Sequence, residues 1–508
     1  MLYTAEINDY FHSEVRDYRL TIAHCTGRLL RLGGVDQLVE QVTIGILPDD
    51  ALLKIFKFFV DAMELYRTES NTSDEWHTLV QVCRRWRYLA FSSPRHLNLQ
   101  LLCKIPQRSV EEMLDIWPEL PIYVSAIGYL VTKKERDNCI AALQLNHRVS
   151  GIRFRVSAIS AWETLAPLMY QPFPALTHLS IEPDTLISPV SPSFLGGSAP
   201  FLQVLRLIRV PFPELPELLL SATDLDHLSY EVIPSSGYIS SQEMVTGLSA
   251  LTQLKSLYLT FLPFRDLSDK AIRIPPPHTR ALLPALTNLH FQGVSEYMED
   301  LAAQTDASLL EKFEITFFHQ EILEVSELAK FIRRADKLSL VDRAQVVYVT
   351  NSISVRLSEI LSGIKPKTLE IHLICPHSQF RLSHLVQLCA SCFPTPSIFE
   401  CLLINVQQHS WDEFIFDPDP QWLELLCLFS NVKQLCLVKA VAHPIAQALG
   451  ELPAERVLRV LPALEIVFMA KLEPVGPVKE AISKFTDARQ LSGHHVSIRW
   501  GGGIRRWR

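Results

Sequence analysis

A six-residue pattern, Φ-x-x-Φ-x-Φ with Φ apolar or small, recurs along most of this chain and restricts it to a repetitive fold. Units begin at Val149, Leu176, Leu202, Leu225, Leu254, Leu286, Leu310, Ala335, Pro366, Phe399, Val432 and Leu464. The sharpest are LTHLSI (176–181), LQVLRL (202–207), LKSLYL (254–259), LTNLHF (286–291) and VKQLCL (432–437). In each unit the second and third Φ alternate with a single residue, as in a strand with one face in a core. The first Φ supports the turn before it. Phe173-Pro174-Ala175, Leu283-Pro284-Ala285 and Leu461-Pro462-Ala463 precede units, and proline there suits a fixed turn into the strand. Segments of about 20 residues separate the strands, enough for a helix or an irregular return; Asp300–Ala307 and Pro444–Leu449 are examples.

The mean spacing, about 29 residues, lies at the upper edge of the leucine-rich repeat range. No such unit buries its core alone, so stacked units form a curved parallel sheet lining a horseshoe. Units at Ala335, Pro366 and Phe399 are degenerate, residues 343–353 and 405–421 read as insertions, and Gly501–Arg508 reads as a loose tail. Residues between the Φ positions are expected on the concave face: Arg153, His178, Ser180, Arg206, His227, Tyr258, Asn288, His290, Lys312, Glu314, Lys337 and Glu370. Towards the C-terminus the same slots turn apolar, with Cys401, Leu403, Cys436, Ile466 and Phe468. An apolar run on an open sheet face marks a partner site; alternatively it is covered by the insertions, or the register is off by one. The candidate target-binding residues are Arg206, Tyr258, His290, Lys312, Leu403, Cys436 and Phe468.

The region before the repeats is helical. Phe11, Val15, Tyr18, Ile22, Cys25, Leu29 and Leu32 recur at alternating steps of four and three, one face of a helix, which Gly33-Gly34 ends. Asp36 suits the cap of a second short helix through Val42. This pair is expected to pack on the next domain, with self-association as the alternative. Leu47-Pro48 then precedes an amphipathic helix running from Asp49 or Asp50 to about Met63, with Leu52, Ile55, Phe56 and Phe59 on one side. Arg67–Asp74 is polar and reads as a loop. A second helix is expected over Glu75–Phe91, with Trp76, Leu79, Val82, Cys83 and Trp86 on one face, stopped by Ser92-Ser93-Pro94.

The Leu47-Pro48-Asp49-Asp50 start followed by Val82-Cys83-Arg84-Arg85-Trp86-Arg87 resembles an F-box, over about 50 residues. Many members of that family carry leucine-rich repeats after the box. The phrase LDIWPELP (114–121) and the ARQL…W region near the C-terminus are similar to F-box-like proteins abundant in mushroom-forming basidiomycete fungi. The stretch from Val60 to Trp76 is longer than the family's usual linker. The resemblance implies docking to a Skp-type adaptor, and through it to a cullin. On that basis Leu47, Pro48, Leu52, Ile55, Phe56, Leu79, Val82, Cys83 and Trp86 are the candidate adaptor-binding residues.

Other function classes find little in the sequence. The composition is 48% hydrophobic and 20% charged, that of a folded chain. A net charge of −7 offers no electrostatic case for nucleic acid or an anionic membrane, and Arg84, Arg85 and Arg87 read as a solvated helix face. No uncharged apolar run reaches the roughly 18 residues of a membrane span, and MLYTAEINDYFHSEV does not read as a signal peptide. The ten cysteines then read as reduced thiols of a cytoplasmic or nuclear protein. Cys389-Ala-Ser-Cys392 has zinc-ligand spacing with only His384 and Cys375 nearby, and His494-His495 lacks a complement. No phosphate loop, dinucleotide fingerprint, nucleophile elbow or metalloprotease motif occurs.

The expected architecture is therefore α/β: an N-terminal helical extension (1–44), an F-box-like domain (45–99), an irregular leucine-rich-repeat solenoid with its parallel sheet on the concave face (100–498) and a C-terminal tail (499–508). The expected function is substrate recognition in an SCF-type ubiquitin ligase. No catalytic residue, cofactor or metal is expected. The alternative is a plain repeat scaffold whose helices only cap the solenoid.

Overall fold

The computed structural model describes residues 47–65, 76–94, 96–97, 99–104, 110, 114, 120–128, 133–157, 159–263, 280–318, 325–340, 343–349, 352–358, 367–374, 382–392, 399–406 and 421–501. The helical pair expected at 8–42, the loop at 67–74, most of 114–121 and 405–421, and the tail beyond Gly501 lie outside the described residues. The chain divides into two compact units, Met1–Leu99 and Gln100–Arg508.

The first unit holds α1 (Asp49–Leu65), α2 (His77–Val82) and α3 (Arg84–Ser92). Leu52, Phe56 and Val60 of α1 recur every fourth residue and are buried, as are Trp76, Leu79, Val80, Leu89 and Ala90. Phe56 packs on Trp86, with ring centroids 4.7 Å apart. The single helix expected over Glu75–Phe91 is instead two helices, because Cys83 adopts an extended conformation (φ −157°, ψ 171°). Arg87 Nε donates to the Val80 carbonyl, 2.9 Å away, at this break. Arg85 ties the start of α1 to α3: its guanidinium donates to the Leu47 carbonyl at 2.6 Å and to the Asp49 carboxylate at 2.5 and 3.0 Å.

The second unit has eighteen described strands: β1 (Leu101–Lys104), β2 (Ile122–Gly128), β3 (Val149–Val156), β4 (His178–Pro183), β5 (Val204–Ile208), β6 (His227–Ile233), β7 (Ser256–Phe261), β8 (Ala281–Leu282), β9 (Asn288–Gly293), β10 (Thr305–Asp306), β11 (Lys312–Phe317), β12 (Arg343–Val349), β13 (Ser352–Ser358), β14 (Thr368–Ile374), β15 (Cys401–Val406), β16 (Gln434–Val438), β17 (Ile466–Ala470) and β18 (Ser497–Trp500). Sixteen form one sheet in the order β1-β2-β3-β4-β5-β6-β7-β9-β11-β14-β13-β12-β15-β16-β17-β18, and β8 and β10 pair separately. Among the described residues ten α-helical elements follow α3: α4 (Lys133–Gln144), α5 (Ile159–Leu165), α6 (Leu215–Ser221), α7 (Ser241–Leu248), α8 (Ser295–Gln304), α9 (Ser326–Arg334), α10 (Leu382–Cys392), α11 (Gln421–Cys427), α12 (Lys439–Gly450) and α13 (Pro477–Leu491). From α6 onward each packs on the next.

The hexads explain this layering. Their second and third Φ, such as Leu179 and Ile181 or Leu257 and Leu259, are buried in one continuous core running from Cys103 to Val496. The first Φ donates its N–H to the carbonyl three residues earlier at Leu176, Leu202, Leu225, Leu254, Leu286, Leu310, Val432 and Leu464, over 3.0–3.4 Å. This turn aims each strand. The next residue joins the ladder: Gln203 N–H donates to the Thr177 carbonyl, Asp226 to Gln203, Lys255 to Asp226 and Thr287 to Lys255, at 2.8–2.9 Å. Helix ends are also satisfied between repeats. Buried Glu299 of α8 accepts from the N–H groups of Glu327 (2.9 Å) and Leu328 (2.8 Å) and from Ser326 Oγ (3.1 Å). It thus caps α9, whose own N-cap, Val325, offers no side-chain bond.

Three expectations are corrected. The unit at Ala335 makes no strand: Asp336–Leu340 is a 3₁₀ turn, so Lys337 is not on the sheet. The insertion expected at 343–353 lies in the sheet instead. Its alternating apolar residues Ala344, Val346, Ile353 and Val355 are buried, and β12, β13 and β14 form an antiparallel meander joined to β11 and β15 by parallel pairing. At the C-terminus, Arg499 and Trp500 belong to β18 and not to the tail. Beyond these, β1 and β2 precede the first recognised unit; Pro121-x-x-Val124-x-Ala126 has the same degenerate form as the unit at Pro366.

Arg489 is completely buried on α13. Its guanidinium donates to the carbonyls of Val457, Val460, Leu461 and Pro462 over 2.9–3.3 Å and lies 5.6 Å from the Phe485 ring centre. Replacing Arg489 by Met leaves these carbonyls unpaired and is expected to cost about 3–5 kcal/mol. Thermal unfolding followed by circular dichroism checks this, and an unchanged midpoint would contradict the assigned role.

Candidate functional site

Strand register lines up the open face of the sheet. Ser125, Arg153, Ser180, Arg206, Ser229, Tyr258, His290, Glu314, Glu370, Arg356, Gln345, Leu403, Cys436, Phe468 and Arg499 stand opposite one another in a single row from β2 to β18. Six of the seven candidate target-binding residues lie in this row. Lys312 stands one pleat before it, opposite Asn288.

The chemistry changes along the row. Arg206 is exposed on β5. Next come half-buried rings: Tyr258 lies 5.8 Å from His290 along the row, and 5.3 Å from His227, which stands one pleat before it, between ring centres. Burial pulls the pKa of His227 below its usual value, against the opposing pull of Asp226, and so favours its neutral form. Asn288 donates to Ser256 Oγ beside this ladder.

Beyond the rings lies an ion-pair network. His290 Nδ1 is 3.4 Å from Glu314, and His372 Nε2 is 3.2 Å from Glu370 and 3.8 Å from Glu314. Arg356 grips Glu370 with two bonds of 2.7 and 2.8 Å. The hydrogen bond from His290 holds the Glu314 carboxyl below its usual range. Burial raises that of Glu370, but hydrogen bonds from His372 and Arg356 outweigh it and the net shift is downward. Arg356 and His372 are absent from the sequence-based candidates. The first sits on a strand that breaks the repeat; the second follows Glu370 by two residues, which extending that unit by one alternation would have included.

The apolar end differs from the exposed partner site considered above. Leu403 and Cys436 are buried, and with Val438 and Ala470 they form a small second cluster against which Phe468 is half-buried. Leu403 and Cys436 therefore serve as core, and Arg206, Tyr258, His290, Lys312 and the half-buried Phe468 remain as the accessible candidates.

The adaptor-binding candidates divide in the same way. Leu52, Phe56 and Leu79 are core, Leu47 and Trp86 are half-buried, and Pro48, Ile55, Val82 and Cys83 are exposed. Phe58 and Tyr88 are exposed as well (69% and 72%) and were not singled out in the sequence. They sit outside the apolar periodicity that defines the buried stripe of their helices. Cys389 and Cys392 are buried on α10, and burial pushes their thiols up, that of Cys392 to about 12. Both are inert in that state. Among the described residues no group of three or more His, Cys, Asp and Glu side chains is placed to hold a metal ion, and no helix is long and apolar enough to cross a membrane.

Depressed carboxyl pKa values make a pH prediction. Glu314 and Glu370 stabilise the fold above the ordinary carboxyl value of 4.5, and this contribution is lost as pH falls below 4.5 through their lower folded values. Urea unfolding at about pH 6 and about pH 3 is expected to show a smaller loss of stability in the Glu314→Gln/Glu370→Gln double variant than in the unaltered chain. Equal losses would remove the network from the acid sensitivity.

No protein-family model and no curated protein matches the chain. Among solved structures it is similar to the leucine-rich repeat-containing protein LegL7 from Legionella pneumophila, with 12% identity and a TM-score of 0.25, covering 77% of this chain and 98% of that one. At that score the likeness carries no argument, and the repeat architecture stands on the strand order and hydrogen bonding described above.

Proposed function

We propose that this chain is a non-catalytic adaptor: its helical unit docks to a Skp-type protein of a cullin-RING ubiquitin ligase, and its solenoid holds a target protein. The observation that carries this reading is the surface of the helical unit. Its core is already filled by Leu52, Phe56, Val60, Leu79 and Leu89, yet Ile55, Phe58, Val82 and Tyr88 remain exposed. They are four of the thirteen large apolar side chains exposed among the described residues, and the long second unit supplies only the remainder. Exposed apolar side chains at that density favour a protein partner. The LPDD and VCRRWR segments that resemble the F-box are those joined by the Arg85–Asp49 contact. A docked solenoid would raise the effective concentration of its target beside the ligase, so the chain itself needs no reactive group. A cytoplasmic or nuclear location follows from this reading.

The test uses purified full-length chain mixed with a Skp-type adaptor and resolved by size exclusion. Co-elution is expected. Replacing both Ile55 and Val82 by Asp, which touches only exposed positions, is expected to weaken it at least about a hundredfold without shifting the melting midpoint. Absence of binding by the unaltered chain would instead support a scaffold whose helices only cap the solenoid.

A further inference from the structure

We infer that the strip of open sheet from Arg206 to Lys312 binds an acidic, extended segment of the target, with an aromatic or other apolar residue of that segment resting on Tyr258. This inference rests on the adaptor reading and specifies the chemistry its target end selects.

Three observations carry it. Arg206 and Lys312 are exposed, and neither has an ion-pair partner among the described residues. The anions closest along the chain and sheet are already committed: Asp226 to Lys255 at 3.3 Å, Glu231 to Ser229 Oγ, Glu311 to Lys337, and Glu314 to His290. In the two rows containing Arg206, Tyr258 and Lys312, strands β5 to β9 contribute no carboxylate. Apart from Val204, donors and rings occupy those positions, so the strip complements negative charge.

The spacing sets the ligand's length. Four inter-strand steps separate β5 from β11, about 19 Å at ~4.8 Å per step. An extended chain covers that distance in about six residues. Two acidic positions about six residues apart, with an apolar residue between them, would meet Arg206, Tyr258 and Lys312 together. A nucleic acid fits less well. It needs a continuous cationic track, and this strip ends at Glu314 and Glu370 on one side and is flanked by Glu182 and Glu231 along another.

The experiment is fluorescence anisotropy on the full-length chain. The probe is a fluorescein-labelled peptide with two glutamates at each end of a Gly-Trp-Gly centre, and the control carries lysines in place of the glutamates. Salt-sensitive binding of the glutamate peptide only is expected. Arg206→Glu is expected to weaken it at least about tenfold, and Tyr258→Ala several-fold, with unchanged melting midpoints. The inference is overturned if the unaltered chain fails to bind the glutamate peptide, if the lysine peptide binds as well, if Arg206→Glu has no effect, or if oligothymidylate binds more tightly than the peptide. Adaptor co-elution is measured on the same samples. Adaptor binding without peptide binding overturns this inference alone, whereas peptide binding without adaptor binding overturns the adaptor reading alone.

Discussion

At β4, β5, β6, β7, β9 and β11, and again at β16, β17 and β18, the residue that leads into the strand donates its backbone N–H to the strand before it, and this dependence on a neighbour runs through the second unit. A hexad such as LQVLRL sends three of its residues into the core, too few to close one. It becomes stable only when Leu202, Leu205 and Leu207 meet their equivalents on either side. The same dependence appears in polar groups: Glu299 caps a helix of the following repeat, and Arg489 binds carbonyls about thirty residues earlier in the chain. Stability is therefore carried across repeat boundaries, through backbone ladders, caps and a shared core.

That arrangement also aligns surface chemistry. Because parallel strands keep one register, side chains at equivalent hexad positions fall into a row with neighbours about 4.8 Å apart. Arginine, rings, ion pairs and apolar groups succeed each other along it. The antiparallel meander is informative here: it reverses chain order yet preserves the row, so Arg356 on β13 reaches Glu370 on β14. A reversal that broke the row would have left Glu370 half-buried without its cation.

Much of the fold was legible beforehand because the hexad is a local signal with a fixed physical meaning. Leu176, Leu254 and Leu286 announce turns and the residues after them announce strands. The meander escaped because its pairing is non-local: nothing in Arg343–Val349 states that it will pair with Cys401–Val406. The F-box-like segment showed the limit of periodicity in another way. Leu52 and Phe56 were predicted on the same apolar face as Ile55, but the actual buried stripe is narrower. It leaves Ile55 and Phe58 outside, and only tertiary packing, such as that of Phe56 on Trp86 of α3, could decide its width.

By itself, then, the sequence determined the strand-forming hexads, the side of each strand that enters the core, and which polar side chains face the other way. These follow from the two-residue period of a strand and need no partner. Only the tertiary structure decided strand order at the meander, the break at Cys83, and which candidates remain accessible. Leu403 and Cys436 occupy the same row as Tyr258, yet a second apolar cluster encloses them. Exposure depends on what packs above a residue, and residues that pack together there are distant in the chain.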